Sequence, residues 1–254
     1  MLTKFTLANF KSYREATLDL SPLTLLIGAN ASGKSNALEA MQMLSWLSRG
    51  RRLEEVFQAV QESESLMRGT VADLAFGGTG TFRLGCVLEN QGWNKLEVEM
   101  SAGPDGMRIV QERVHSRREN LPLYQVDRGT SGFSHDLLVS YNNFARGPNK
   151  PQITCTDQQA VFTQLLTPAR FSKYDKRSQA EIPQVARSFM LALERILFLD
   201  PIPRRMRGYG FIVDKVLQGD GSNLSSTLYD LCVTQNVKDK VLAFVREGVR
   251  QNSF

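Results

Sequence analysis

The chain has 254 residues, 42% hydrophobic and 22% charged, an ordinary balance for a globular protein with room for one large domain or two small ones. A formal net charge of +5 permits nucleic-acid contact without requiring it, and the basic residues gather at 48–52, 113–118 and 204–207. No apolar run nears 18 residues, Lys4, Lys11, Arg14, Glu15 and Asp19 interrupt any leader-like core, and Cys86, Cys155 and Cys232 are scattered and odd in number. A cytoplasmic protein with no membrane span and no metal cluster is the expectation.

Residues 1–20 read as a hairpin: Leu2, Phe5, Leu7 and Phe10 form an apolar set, Lys11 to Arg14 a polar turn, and Ala16, Leu18 and Leu20 alternate with polar positions. Thr24-Leu25-Leu26-Ile27 is a short, continuously apolar strand candidate, and Ala37 to Leu44 is rich in strong helix formers. Leu53, Val56, Phe57, Val60 and Leu66 keep a helical period through residues 49–67. From Thr70 the period changes. Thr81 to Leu88 and Lys95 to Met100 alternate as paired strands, and Gly103 to Gly106 turns into a third strand over 107–114, giving an antiparallel meander. Residues 117–151 carry Pro122, Gly129, Gly132, Gly147, Pro148 and Pro151 and predict loop or short strands. Helices are expected over 162–170, 182–197 and 237–249.

Between the apolar strand and the first helix, Gly28-Ala29-Asn30-Ala31-Ser32-Gly33-Lys34-Ser35 fits G-x-x-x-x-G-K-[ST] at every fixed position. Each residue type has a physical task. Gly28 and Gly33 are expected at positive φ, so that successive amides converge on phosphate oxygens. Lys34 supplies a point charge for the β- and γ-phosphates, Ser35 a hydroxyl for Mg²⁺, and the helix from Asn36 its positive end. The predicted ligands are ATP and Mg²⁺, held by Gly28, Asn30, Ala31, Ser32, Gly33, Lys34, Ser35 and Asn36. His115 and His135 have no metal-ligand spacing and are proposed for nothing.

The string Phe5 to Arg14, then Leu18 to Thr24 and the loop with Asn30, resembles the N-terminal lobe of the SMC/RecF/OLD branch of ABC-type ATPases. Ala31 stands where that branch usually has Gly, which asks residue 31 to avoid conformations that only Gly tolerates. Leu199 to Arg207 followed by Gly219 to Leu224 again resembles the large prokaryotic group of this branch. The resemblance implies an α/β ABC-type head, its N-terminal part, with the meander and a helical region: residues 1–116 as hairpin, P-loop and meander, and 117–254 as insertion and helices continuing into a further ATPase lobe. It also implies a head-to-head dimer that hydrolyses ATP in DNA maintenance or anti-phage defence, with DNA or a nuclease or effector subunit as partner. Arg49, Arg51, Arg52, Arg204, Arg205 and Arg207 are the candidate contacts. Gln218, in the context Val216-Leu217-Gln218-Gly219-Asp220, resembles the glutamine that such ATPases set against Mg²⁺ and the attacking water; a solvated loop residue is the other reading.

Two elements of the branch are missing from the 254 residues. No four-apolar run ends in Asp-Glu: Ile196 to Asp200 has the run and the Asp, but Pro201 occupies the position of the general base. Nor is there a Leu-Ser-Gly-Gly-like signature, Asn223-Leu224-Ser225-Ser226 reading as a helix cap. The sequence therefore predicts either part of a longer ATPase or a nucleotide-binding sensor that does not hydrolyse. A small-molecule P-loop kinase is disfavoured by the N-terminal hairpin and the meander.

Overall fold

The computed structural model describes residues 1–56, 67–89, 92–104, 106–116, 118–129, 134–147, 149–208, 216–234 and 237–251. Two compact units divide the chain, residues 1–196 and 197–254.

The first unit is built on one antiparallel sheet of eight strands: β1 (Leu2–Phe10), β2 (Tyr13–Asp19), β3 (Thr81–Leu88), β4 (Lys95–Gly103), β5 (Gly106–His115), β6 (Tyr124–Gly129), β7 (Asp136–Tyr141) and β8 (Gln152–Thr156), in the order β2-β1-β3-β4-β5-β6-β7-β8. The predicted hairpin and three-strand meander are present, with Phe5 opposite Leu18 and Leu84 opposite Val98. The sheet continues past residue 116 through β6 and β7, the short strands that were one reading of 117–151, and through β8, which was not expected.

Alternation decides which face is buried. Phe82, Leu84, Cys86 and Leu88 of β3 point inward with Phe5, Leu7 and Phe10 of β1, while Arg83 reaches Glu99 across the open face at 2.9 Å. Phe10 and Phe82 meet edge to face at 5.2 Å between ring centroids. Helix α1 (Lys34–Leu47) lays Ala40, Met43, Leu44 and Leu47 against this apolar face.

After β8 come the single turn α2 (Val161–Gln164) and the long α3 (Lys176–Glu194), where helices over 162–170 and 182–197 were expected. A 3₁₀ turn over Pro168–Arg170 interrupts the first, and the second starts six residues early because its polar opening, Lys176 to Gln179, carries no apolar period. Pro183 lies inside α3 and removes one backbone donor. Ile182, Phe189 and Leu193 are fully buried, and the hydroxyl of Ser45 in α1 donates to the Leu193 carbonyl at 2.9 Å.

One buried carboxylate ties the sheet to α2. Glu112 on β5, 1% exposed, accepts from the Tyr124 hydroxyl and from the amides of Val161 and Phe162, each at 2.7 Å. Burial raises its pKa to about 7, the three donors pulling the other way.

The second unit holds α4 (Pro203–Met206), α5 (Leu224–Val233) and α6 (Lys238–Gln251). Its opening residues pair with the 218–221 turn: the amides of Asp200 and Ile202 donate to the carbonyls of Gly219 and Asp220 at 2.9 Å. Gly219 is required there, since a Cβ would stand 2.6 Å from the Phe198 carbonyl oxygen. Asn223 precedes α5 as expected, but its side chain bonds Val216 and Gln218 of the turn and makes no cap hydrogen bond. Leu53 to Val56 form a helical turn; the predicted continuation through Phe57, Val60 and Leu66 lies outside the described residues.

Two expectations are corrected. Thr24 to Ile27 belong to no ladder among the described residues; the segment has no regular secondary structure, and Leu23, Leu25 and Ile27 are exposed by 70, 73 and 90%. A continuously apolar strand needs neighbours on both edges and cover on both faces, and the described residues supply neither. The helical period also carried the prediction on to Leu197, whereas α3 stops at Glu194 and Leu197 to Asp200 have no regular secondary structure.

Candidate phosphate-binding site

The loop from Gly28 to Ser35 follows the exposed segment and ends on α1. Gly33 is at φ +91, as expected, and a Cβ on it would stand 2.9 Å from Tyr13 Oη and 3.2 Å from Ser12 Oγ, so a side chain is blocked by conformation and by space. Gly28 differs from expectation. Its φ is not positive; what it provides is clearance, a Cβ there coming within 3.0 Å of Ser32 Oγ. The expectation for residue 31 is corrected too: Ala31 adopts φ +64, the left-handed region that its methyl disfavours by about 1 kcal/mol. The turn between Gly28 and Gly33 is tight enough to impose that conformation.

The Lys34 ammonium curls into the loop, donating to the carbonyls of Gly28 at 2.8 Å and Ala29 at 2.6 Å. The first intrahelical bond of α1 runs from the Ala37 amide to the Gly33 carbonyl, and the amides of residues 33–36 donate to no backbone carbonyl among the described residues. No acidic side chain lies in the first turn of α1 to offset its positive end. Asn30, Ala31, Ser32 and Ser35 are exposed, and Asn36 Nδ2 donates to Ser12 Oγ at 2.8 Å. A cation, free amides and an uncompensated helix start fit a polyphosphate. The Ser35 hydroxyl is exposed at the start of α1, and no group of three His, Cys, Asp or Glu among the described residues could hold an ion unaided, so a Mg²⁺ here would be held together with phosphate.

The turn between β1 and β2 belongs to this site, and reading the sequence did not single it out. Lys11 and Glu39 form an ion pair, their side chains 9% and 8% exposed, and Arg68 Nε reaches the same carboxylate at 2.5 Å. The available signal was an acidic residue on the buried face of an otherwise apolar helix.

The other candidates are distributed. Arg49, Arg51 and Arg52 are exposed just beyond α1, Arg51 standing 3.4 Å from Glu55. Arg204, Arg205 and Arg207 are exposed in the second unit; Arg205 pairs with Asp220 at 2.8 Å and, with Ser222, holds the Asp220 carboxyl at about 2. Gln218, also exposed and in that unit, accepts from the Ser222 hydroxyl at 2.6 Å.

The mixed α/β architecture is consistent with an ATPase domain, and residues 1–73 match the family model described as the AAA ATPase domain. Among the relatives are proteins named DNA replication and repair protein RecF. That of Cyanothece sp. is 41% identical over 69 residues, 26% of this chain and 18% of the relative. That of Leptospira interrogans serovar Lai is 30% identical over 122 residues, 46% of this chain and 29% of the relative, and that of Rhodococcus erythropolis 32% identical over 124, 48% and 27%. The chain thus spans less than a third of the length of these curated relatives. Its N-terminal part is an SMC/RecF-like ATPase lobe. Among the described residues no helix is long and apolar enough to cross a membrane.

Proposed function

We propose that the chain binds ATP with Mg²⁺ through residues 28–36 and works as the nucleotide-binding lobe of an SMC/RecF-like ATPase in DNA maintenance. The observation that carries this is the Lys34 ammonium aimed into a loop whose following amides, 33–36, are free of backbone partners. Lys34 would hold the β- and γ-phosphates, the free amides would cradle phosphate oxygens, and Ser35 would take one position on the metal. Replacing Lys34 with Ala is expected to weaken Mg–ATP binding at least tenfold, about 1.4 kcal/mol, with an unchanged melting temperature. Unaltered binding would refute the assignment.

Hydrolysis needs a carboxylate to activate water, and Pro201 after Asp200 cannot serve. We infer that this group and the signature loop come from outside these 254 residues, at a composite site formed by two heads. The purified chain should bind Mg–ATP and show no turnover above background. Robust turnover, abolished by Asp200→Asn, would promote residues 196–200 to the metal-binding strand. The missing base equally supports a second reading, a nucleotide sensor that assembles a complex without hydrolysis; ATP turnover with DNA present separates the two.

The replication and repair role named for the relatives and the exposed arginines at 49–52 and 204–207 support DNA, or a nuclease subunit, as partner. If these arginines meet duplex phosphates, replacing three of them should reduce the slope of log affinity against log salt by about 0.9 per lost contact. A slope that does not move, with loss of a co-purifying protein, assigns them to a protein partner.

A further inference from the structure

The geometry points to Glu39 as a positioning residue for the phosphate loop, acting through Lys11. It rests on the nucleotide-binding reading above. Taking two opposite charges out of water carries a large desolvation cost, and apolar side chains often fill such a place at no loss of stability. A buried pair is therefore better explained by the arrangement it fixes than by the stability it adds. Here the arrangement is well defined. Lys11 is at φ +47 in the β1–β2 turn, its ammonium enclosed by the Glu39 carboxylate and the Arg68 carbonyl, the latter at 2.7 Å. Its own amide donates to the Leu74 carbonyl at 2.8 Å.

The next two residues of the turn touch the loop. Ser12 Oγ accepts from Asn36, and Tyr13 Oη and Ser12 Oγ close over Gly33. Asn36 and Glu39 are three residues apart on α1 and so lie on one side of it. The turn is thereby fastened to the helix at two successive points, the outer one neutral and exposed, the inner one charged and buried. With Glu39 in place the hydroxyls of Ser12 and Tyr13 form a fixed wall beside the amides that would meet phosphate. Without its charge, Lys11 loses its carboxylate, the turn's fastening to α1 is reduced to the exposed Asn36 contact, and the wall is free to shift relative to the helix.

The test is calorimetric titration of the 254-residue chain with Mg–ATP, well below the melting temperature of each variant. Glu39→Gln is expected to weaken binding about tenfold and Lys11→Met to do the same; the double variant should lose no more than either single, because the two act as one unit. Lys11→Arg, which keeps the charge, should retain affinity. A Glu39→Gln variant that melts earlier but binds Mg–ATP like the wild type overturns the positioning role. Should Glu39→Gln not fold, Ser12→Ala takes its place, with about threefold weaker binding expected and unaltered binding overturning the proposal. Lys34→Ala separates the two readings. If it abolishes binding while Glu39→Gln and Ser12→Ala do not alter it, only the positioning role falls; if the wild type binds no Mg–ATP, both fall.

Discussion

Strand β3 and the segment Leu23 to Ile27 are both short and rich in apolar side chains, yet the first is fully incorporated and the second lies open. β3 alternates, so one face meets α1 while Arg83 faces water, and it is hydrogen-bonded to β1 on one edge and β4 on the other. Leu23 to Ile27 is apolar at nearly every position and so needs cover above, below and on both edges. An alternating strand states half of its own environment; a continuous one states only what it lacks.

The largest expected effect tests that contrast directly. Leu84, fully buried on β3, should cost about 2–5 kcal/mol when replaced by Ala, whereas Ile27→Ala, at 90% exposure, should change stability by no more than about 0.5 kcal/mol in urea denaturation. Equal losses would break the comparison and place the exposed segment in the core of the folded chain.

A second prediction sharpens the description of the sheet. Glu112 has a pKa near 7 when folded against an ordinary carboxyl value near 4.5 when unfolded, so the folded chain holds the extra proton between them. Its contribution is fully present below about pH 4.5 and is lost as pH rises through 7, a fall of up to about 3 kcal/mol. Denaturant midpoints measured from pH 5 to 8 should show this decline and Glu112→Gln should flatten it; a wild-type profile already flat would place the charged form comfortably on its three donors.

The smallest effect belongs to the loop. Ala31→Gly relieves a methyl at φ +64 and should stabilise the folded chain by at most about 1 kcal/mol, because the unfolded chain also gains freedom. A clear destabilisation in thermal melts would mean that the methyl makes a favourable contact worth more than its conformational cost.

What the sequence showed and concealed follows the same physics. The turn residues and alternation around Thr81 to Val114 located β3, β4 and β5, because each such strand is half solvated and writes its period into the chain. β8 was concealed by the prolines and glycines around it, and the start of α3 by four polar residues that contribute nothing to an apolar period. The eight-residue loop was legible in full, but not the conformations of Gly28 and Ala31, which the closure of the loop dictates. Lys11 and Glu39 stand 28 positions apart; Lys11 alone looks like an ordinary solvated charge, and the place of Glu39 on the apolar face of α1 does not name its partner.

The strand order also bears on how the chain folds. From β3 to β8 every strand pairs with the one that follows it, so this part can close by successive hairpins. β1 instead joins β3 with Phe5 opposite Cys86, about 80 residues away, and closing such a loop costs roughly 2.5 kcal/mol more entropy than a five-residue hairpin. The β1–β2 hairpin, which carries Lys11, Ser12 and Tyr13, therefore docks after the hairpins from β3 onward have formed. In stopped-flow refolding, capture of a fluorescent nucleotide should lag the circular-dichroism signal of the sheet, the binding loop maturing as the chain's latest event.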